Sequence, residues 1–126
     1  MITLSLLDQT SAIERLEGLS MSSNVENPDE EFLSIILYLL NSDTDVNVRL
    51  AAVEAMRSFG DNQWVRNELV KSLASQSSPL VQVGLIDLMV ELNEQNSLEV
   101  LREMADNQYI NDTVKQRAKW GIQQIL

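Results

Sequence analysis

The chain contains no cysteine and no histidine. The first absence removes disulfides, thiolate zinc sites and cysteine nucleophiles. The second removes imidazole general bases and the other common zinc ligand. Neither fixes a compartment, because a chain without cysteine suits the cytoplasm and an extracytoplasmic space equally. Glycine occurs four times and proline twice, which excludes a collagen-like or linker-rich chain. Cations are scarce as well: nine Lys and Arg face nineteen Asp and Glu, for a net charge of −10. Nucleic acid is a poor partner for such a surface, since its affinity comes mainly from cations neutralising phosphates. Acidity favours solubility and, secondarily, a basic partner. The imbalance is uneven, with ten acids against three arginines in residues 1–60 and nine against six cations in residues 61–126. Long apolar runs are missing too. The longest, residues 35–40, falls far short of the ~20 residues of a membrane helix, so this segment does not itself insert. The opening residues have no basic region before Asp8 closes the first apolar stretch, so this stretch is not expected to be a secretion signal.

What remains is an ordinary globular composition, 44% hydrophobic and 22% charged over 126 residues, enough for one folded domain. Its main feature is internal repetition. Residues 48–56 align with 81–89 at a spacing of 33 residues, and more weakly with 114–122. A period of this size marks stacked supersecondary units, each burying its apolar face against its neighbours. Apolar spacing is helical nearly throughout, and polar punctuation divides the chain into hairpins. Asn27-Pro28-Asp29-Glu30 reads as a helix start with Asn27 as cap and Pro28 in the first turn. Phe32, Leu33, Ile36, Leu37 and Leu40 form the buried side of that helix. Asp45 caps the next helix, which runs to about Phe59, with Gly60 as a left-handed stop. Asn62 opens a helix carrying Val65, Leu69, Val70 and Leu73. Ser78-Pro79 opens another, reaching about Leu92. Asn96 or Ser97 begins a helix with Leu98, Leu101 and Met104, a longer loop spans 106–111, and a last helix starts at Asp112.

The predicted units are residues 28–62, 63–96 and 97–126, preceded by an incomplete unit over 1–25. There Leu6, Leu7 and Asp8 echo the end of the following unit's first helix, and Ile13, Arg15, Leu16 and Leu19 suit a second helix. The chain thus begins inside a repeat, as a piece of a longer protein or a degenerate cap would. The last unit's outer face is polar, with Lys115, Gln116, Arg117, Lys119, Gln123 and Gln124, as a terminal repeat requires. The expected fold is all-α, with about seven helices in about three hairpins plus the partial one.

The run from Leu39 through Asp43, Asp45, Val48-Arg49 and Ala51-Ala52 to Met56 resembles a HEAT repeat. In that family an Asp sits in the turn, Val-Arg opens the second helix, and small residues precede a large apolar one. The resemblance implies a right-handed α-α superhelix, in which Asp43 or Asp45 with Arg49 stitches neighbouring units together. Gln82 and Lys115 depart from the arginine in later units. Residues 11–126 also resemble a narrower bacterial group, in which a HEAT domain ends membrane-anchored proteins that begin with an anti-sigma-like zinc finger. The cues are Ile13-Glu14-Arg15-Leu16, Asn27-Pro28-Asp29-Glu30 and Ser78-Pro79-Leu80. That likeness implies a membrane helix upstream and a place outside the cytoplasm.

Stacked hairpins expose a curved face built from second helices, and this is the candidate binding surface. It comprises Leu50, Glu54 and Arg57, then Val83, Asp87 and Val90, then Gln116, Trp120 and Gln123. Exposed aromatics anchor interfaces disproportionately, which singles out Trp120. Asp29, Glu30 and Glu31 belong to a helix's first turn, where carboxylates answer the macrodipole, so no metal or cofactor is expected. The resulting reading is a non-catalytic scaffold or adaptor for another protein or a peptide. Two competitors stay open. A lyase-type enzyme, which some HEAT-type proteins resemble, needs an Asp or Glu that titrates near neutrality. A structural spacer would oligomerise through the incomplete N-terminal edge.

Overall fold

Short polar side chains at the turns set where each helix begins. The computed structural model describes residues 2–125. Among these the chain runs through eight α-helices and no strand: α1 Ile2–Leu6, α2 Ala12–Ser22, α3 Glu30–Ser42, α4 Val46–Arg57, α5 Gln63–Ser75, α6 Pro79–Glu91, α7 Leu98–Asp106 and α8 Asp112–Ile125. The fold is all-α, and the eight helices, against the expected seven or so, include α1 as the short first helix of the incomplete unit. Side-chain oxygens of Ser11, Asp45, Asn62 and Asn111 accept from the backbone N–H groups of Glu14, Asn47, Val65 and Val114 at 2.8–3.2 Å. Each satisfies one of the donors that a helix start leaves orphaned. Pro79 opens α6 and has no N–H to satisfy.

Two terminal residues differ from expectation. Asp29, not Asn27, caps α3, accepting from Phe32 N–H at 2.8 Å; Asn27 is left-handed at φ 51°, and Pro28 lies outside the helix. Gly60 is not the left-handed stop of α4, since no described glycine has positive φ. α4 instead unwinds through i−3 bonds, Phe59 N–H to Met56 O and Gly60 N–H to Arg57 O. The left-handed stop occurs after α6, at Asn93 (φ 50°). There Asn93 N–H donates to Val90 O and Glu94 N–H to Met89 O, the paired bonds of a Schellman cap. Asn tolerates that backbone conformation better than most side chains.

The chain divides into two compact units, residues 1–65 and 66–126, with the boundary three residues into α5. In the first unit α1 packs on α2, α2 on α4 and α3 on α4. Leu6, Leu33, Ile36, Leu40, Val48, Ala52 and Met56 form a core closed to solvent. Gly18 marks the closest approach: a Cβ there would stand 3.0 Å from Leu6 Cδ2 and 3.1 Å from Leu6 N. Arg15 is buried in this unit. Its Nε and Nη2 donate to Asp43 Oδ2 and Oδ1 at 2.7 and 3.2 Å, and its Nη1 donates to Asp8 O at 2.8 Å. Asp43 is therefore held by Arg15 from the preceding hairpin and not by Arg49. Asp45 spends its carboxylate on its cap, and Arg49 Nε is buried without a hydrogen-bond partner among the described residues. Ile13 does not join the buried side of α2; it is 72% exposed.

In the second unit α6 and α7 both pack on α8. Val81, Leu85, Ile86, Leu88, Met89, Leu101, Val114 and Ala118 are sealed. Gly121 lets the helices close, since a Cβ there would meet Ile86 Cγ2 at 3.2 Å and Val90 Cγ2 at 3.5 Å. Gln82, standing where an arginine was expected, donates from Nε2 to Gln76 O at 2.8 Å. It thereby closes the turn of its own hairpin. A short 3-10 turn, Gln95–Ser97, precedes α7, and its Ser97 hydroxyl donates to Glu94 O at 2.6 Å without capping the helix.

Candidate functional site

Second helices α2 and α4 carry small residues where they face each other, and the consequence is a surface groove in the first unit. Ala51 and Ala55 on α4, Ser20 on α2 and Ser23 just past the end of α2 leave room that larger side chains would fill. Leu16 and Leu19 provide the rest of the floor, and Glu54, Arg57 and Ser58 line the α4 edge. The volume is about 490 Å³, open to solvent. Glu54 and Arg57 stand one turn apart and pair across it, with Nη2 to Oε1 at 3.1 Å and Nε to Oε2 at 3.3 Å. The glutamate side chain remains 68% exposed. A pair this open contributes little to stability. Its effect is to fix the carboxylate at the groove's edge. Leu50, the third residue expected here, is half-buried on α4 and does not line the groove.

In the second unit the equivalent face is closed by a different device. Arg117 on α8 donates from Nε to Asp87 Oδ1 on α6 at 2.6 Å. Its guanidinium also lies over the Trp120 ring, 3.8 Å from the centroid. Two expected residues, Asp87 and Trp120, are thus brought together by a third that was read only as part of a polar cap. The stack is a cation–π contact on an open surface, with both ion-pair side chains about 40% exposed. Trp120 is half-buried, as are Val83 and Val90; Gln116 and Gln123 are exposed. Val90 lies under Gly121 and serves packing.

Sequence reasoning missed Arg117, Leu16, Ser20 and Ala51. A signal for two of them was present, since Ala51 and Arg117 occupy one register of the 33-residue period with Gly84 between. Reading that register as a face, and not only as a core spacing, would have found them.

Away from the groove, the hydroxyl and then the backbone N–H of Thr10 hold the Asp8 carboxyl below its ordinary value of 3.8. Among the described residues no group of three or more acidic side chains is placed to hold a metal ion. No described helix is long and apolar enough to cross a membrane. Compared with known proteins, the chain matches a family model described as HEAT repeats over residues 33–123. No curated protein and no solved structure matches it.

Proposed function

The chain belongs to the HEAT-repeat family, and from that premise we propose that it is a non-catalytic scaffold whose second helices hold another protein or a peptide. HEAT repeats are commonly protein-interaction scaffolds, and the stacked hairpin is a binding architecture before it is a catalytic one. The observation that carries the reading is the groove between α2 and α4, floored by Leu16, Leu19, Ala51 and Ala55 and edged by Glu54 and Arg57. An apolar floor rimmed by three serines, Glu54 and Arg57 matches the anatomy of a recognition surface, an apolar centre within a polar rim. In the second unit, the Asp87–Arg117–Trp120 cluster offers the aromatic and the arginine that dominate interface energetics.

Selection of a displayed peptide library on the immobilised chain tests this. Enriched peptides are expected to lose at least about tenfold in affinity on Ala51→Trp, which fills the groove, with melting unchanged. Glu54→Lys is expected to weaken the same peptides without lowering the melting temperature. Peptides indifferent to both changes would end the reading. In the second unit, a collapse of melting on Trp120→Ala would make that residue core.

The likeness of residues 13–16 and 27–30 to membrane-tethered anti-sigma-like proteins supports a finer form of the proposal, a regulatory domain outside the cytoplasm. It expects an open frame upstream of Met1 that encodes a Cys/His cluster and then an apolar helix of ~20 residues. A stop codon directly before Met1 would contradict it.

A further inference from the structure

We infer that the groove between α2 and α4 receives a basic amphipathic helix, an inference that rests on the docking reading and specifies its partner. The first argument concerns backbone chemistry. An extended peptide brings unpaired N–H and C=O groups that must find partners when buried. The groove offers it two leucines, two alanines, three serine hydroxyls and a glutamate already paired with an arginine. A helix satisfies its own backbone and needs only an apolar face to lay down. The small side chains of Ala51, Ala55 and Ser20 allow that face to come close, as small residues do wherever helices approach tightly.

The second argument is charge. The first unit has no lysine, and its eleven acids face three arginines. Arg15 is spent on Asp43 and the Asp8 carbonyl. Arg57 is spent on Glu54, and Arg49 is half-buried with its Nε sealed from solvent. The acids are placed differently. Glu54 is exposed at the α4 edge, and Glu17 is exposed on α2 beside Leu16 and Ser20. An incoming helix with Lys or Arg flanking its apolar stripe therefore meets the exposed Glu17 along α2 and, along α4, a Glu54 carboxylate more open to solvent (68%) than the Arg57 that pairs with it (37%), on a unit whose acids far outnumber its cations. An acidic helix would meet Glu17 and the net negative charge of the unit.

Two synthetic 16-residue helices with one leucine stripe, flanked by Lys in one and by Glu in the other, provide the test. Each is titrated against the whole chain by fluorescence anisotropy at low and at moderate salt. The Lys helix is expected to bind saturably and to weaken with salt. It should lose about tenfold on Glu17→Lys with Glu54→Lys, and more on Ala51→Trp or, from the α2 side, Ser20→Trp. The Glu helix should not bind. If the Glu helix binds as well as the Lys helix and both are blocked by the tryptophans, docking stands and the basic partner is refuted. If the Lys helix binds but ignores both tryptophans, its attraction is diffuse and the groove is not its site. If neither helix binds while display-selected peptides do, the occupant is not a helix.

Discussion

At the scale of single residues, the most buried ion pair described in the first unit is the forked pair of Arg15 and Asp43, whose side chains are 10% and 4% exposed. Breaking a pair this buried leaves a charge without its partner, which outweighs anything the pair adds by Coulomb attraction. Asp43→Ala is expected to cost about 3 kcal/mol and to lower the melting temperature by on the order of 10 °C. Arg15→Met combined with Asp43→Leu should recover most of that loss, which calorimetry of the three variants checks. The sequence contained both residues but not their pairing. The repeat pattern points Asp43 toward Arg49, six positions away, while the fold delivers an arginine from 28 positions upstream. Only the packing of α2 beside the turn after α3 makes that choice. A second residue-scale prediction concerns Asp8. Because its folded value is depressed, the stability it contributes is present above about 3.8 and is lost as pH falls through the lower folded value. Thr10→Ala removes the hydroxyl that donates at 2.6 Å and should raise the Asp8 titration toward 3.8, read by carboxyl NMR.

At the scale of elements, helix order and most starting residues were legible because caps are local chemistry. Asp45, Asn62 and the Ser78-Pro79 pair act within three residues of themselves. The ends of helices were less legible. Gly60 has the composition of a left-handed stop, but α4 unwinds without one, and Asn93 supplies the stop where no glycine marks it. Small residues had a similar ambiguity. Ala52 and Ala55 were readable as permitting close packing, whereas the groove beside them depends on the depth left between two helices, and no single helix's pattern encodes that. The two packed glycines separate these effects experimentally. Gly18→Ala should gain up to ~1 kcal/mol of helix propensity yet lose more by forcing α1 away from α2, since one neighbour is the backbone N of Leu6. Gly121→Ala meets a side-chain methyl of Ile86 that can move, so its melting temperature should fall less than that of Gly18→Ala.

At the scale of the whole molecule, the 33-residue period and the excess of acid over base carry most of the functional meaning. The period announces hairpins with equivalent second helices, and the acid excess states which charge the chain attracts. Neither names residues, which is why Leu50 was expected on the surface but sits beside the groove, and why Arg117 was overlooked. With a net charge of −10 and a pI near 4.3, the chain should be least soluble near pH 4.3, where its repulsion between molecules vanishes. Turbidity against pH checks this. The claim that the α2–α4 groove is where a partner docks is tested most directly by an amide chemical-shift map of the labelled chain, recorded with a display-selected peptide. The expected perturbations cluster in residues 16–23 and 51–58 while α3 stays quiet. Shifts centred on the α5–α6 turn and the α7–α8 loop, with residues 16–23 unmoved, would contradict it.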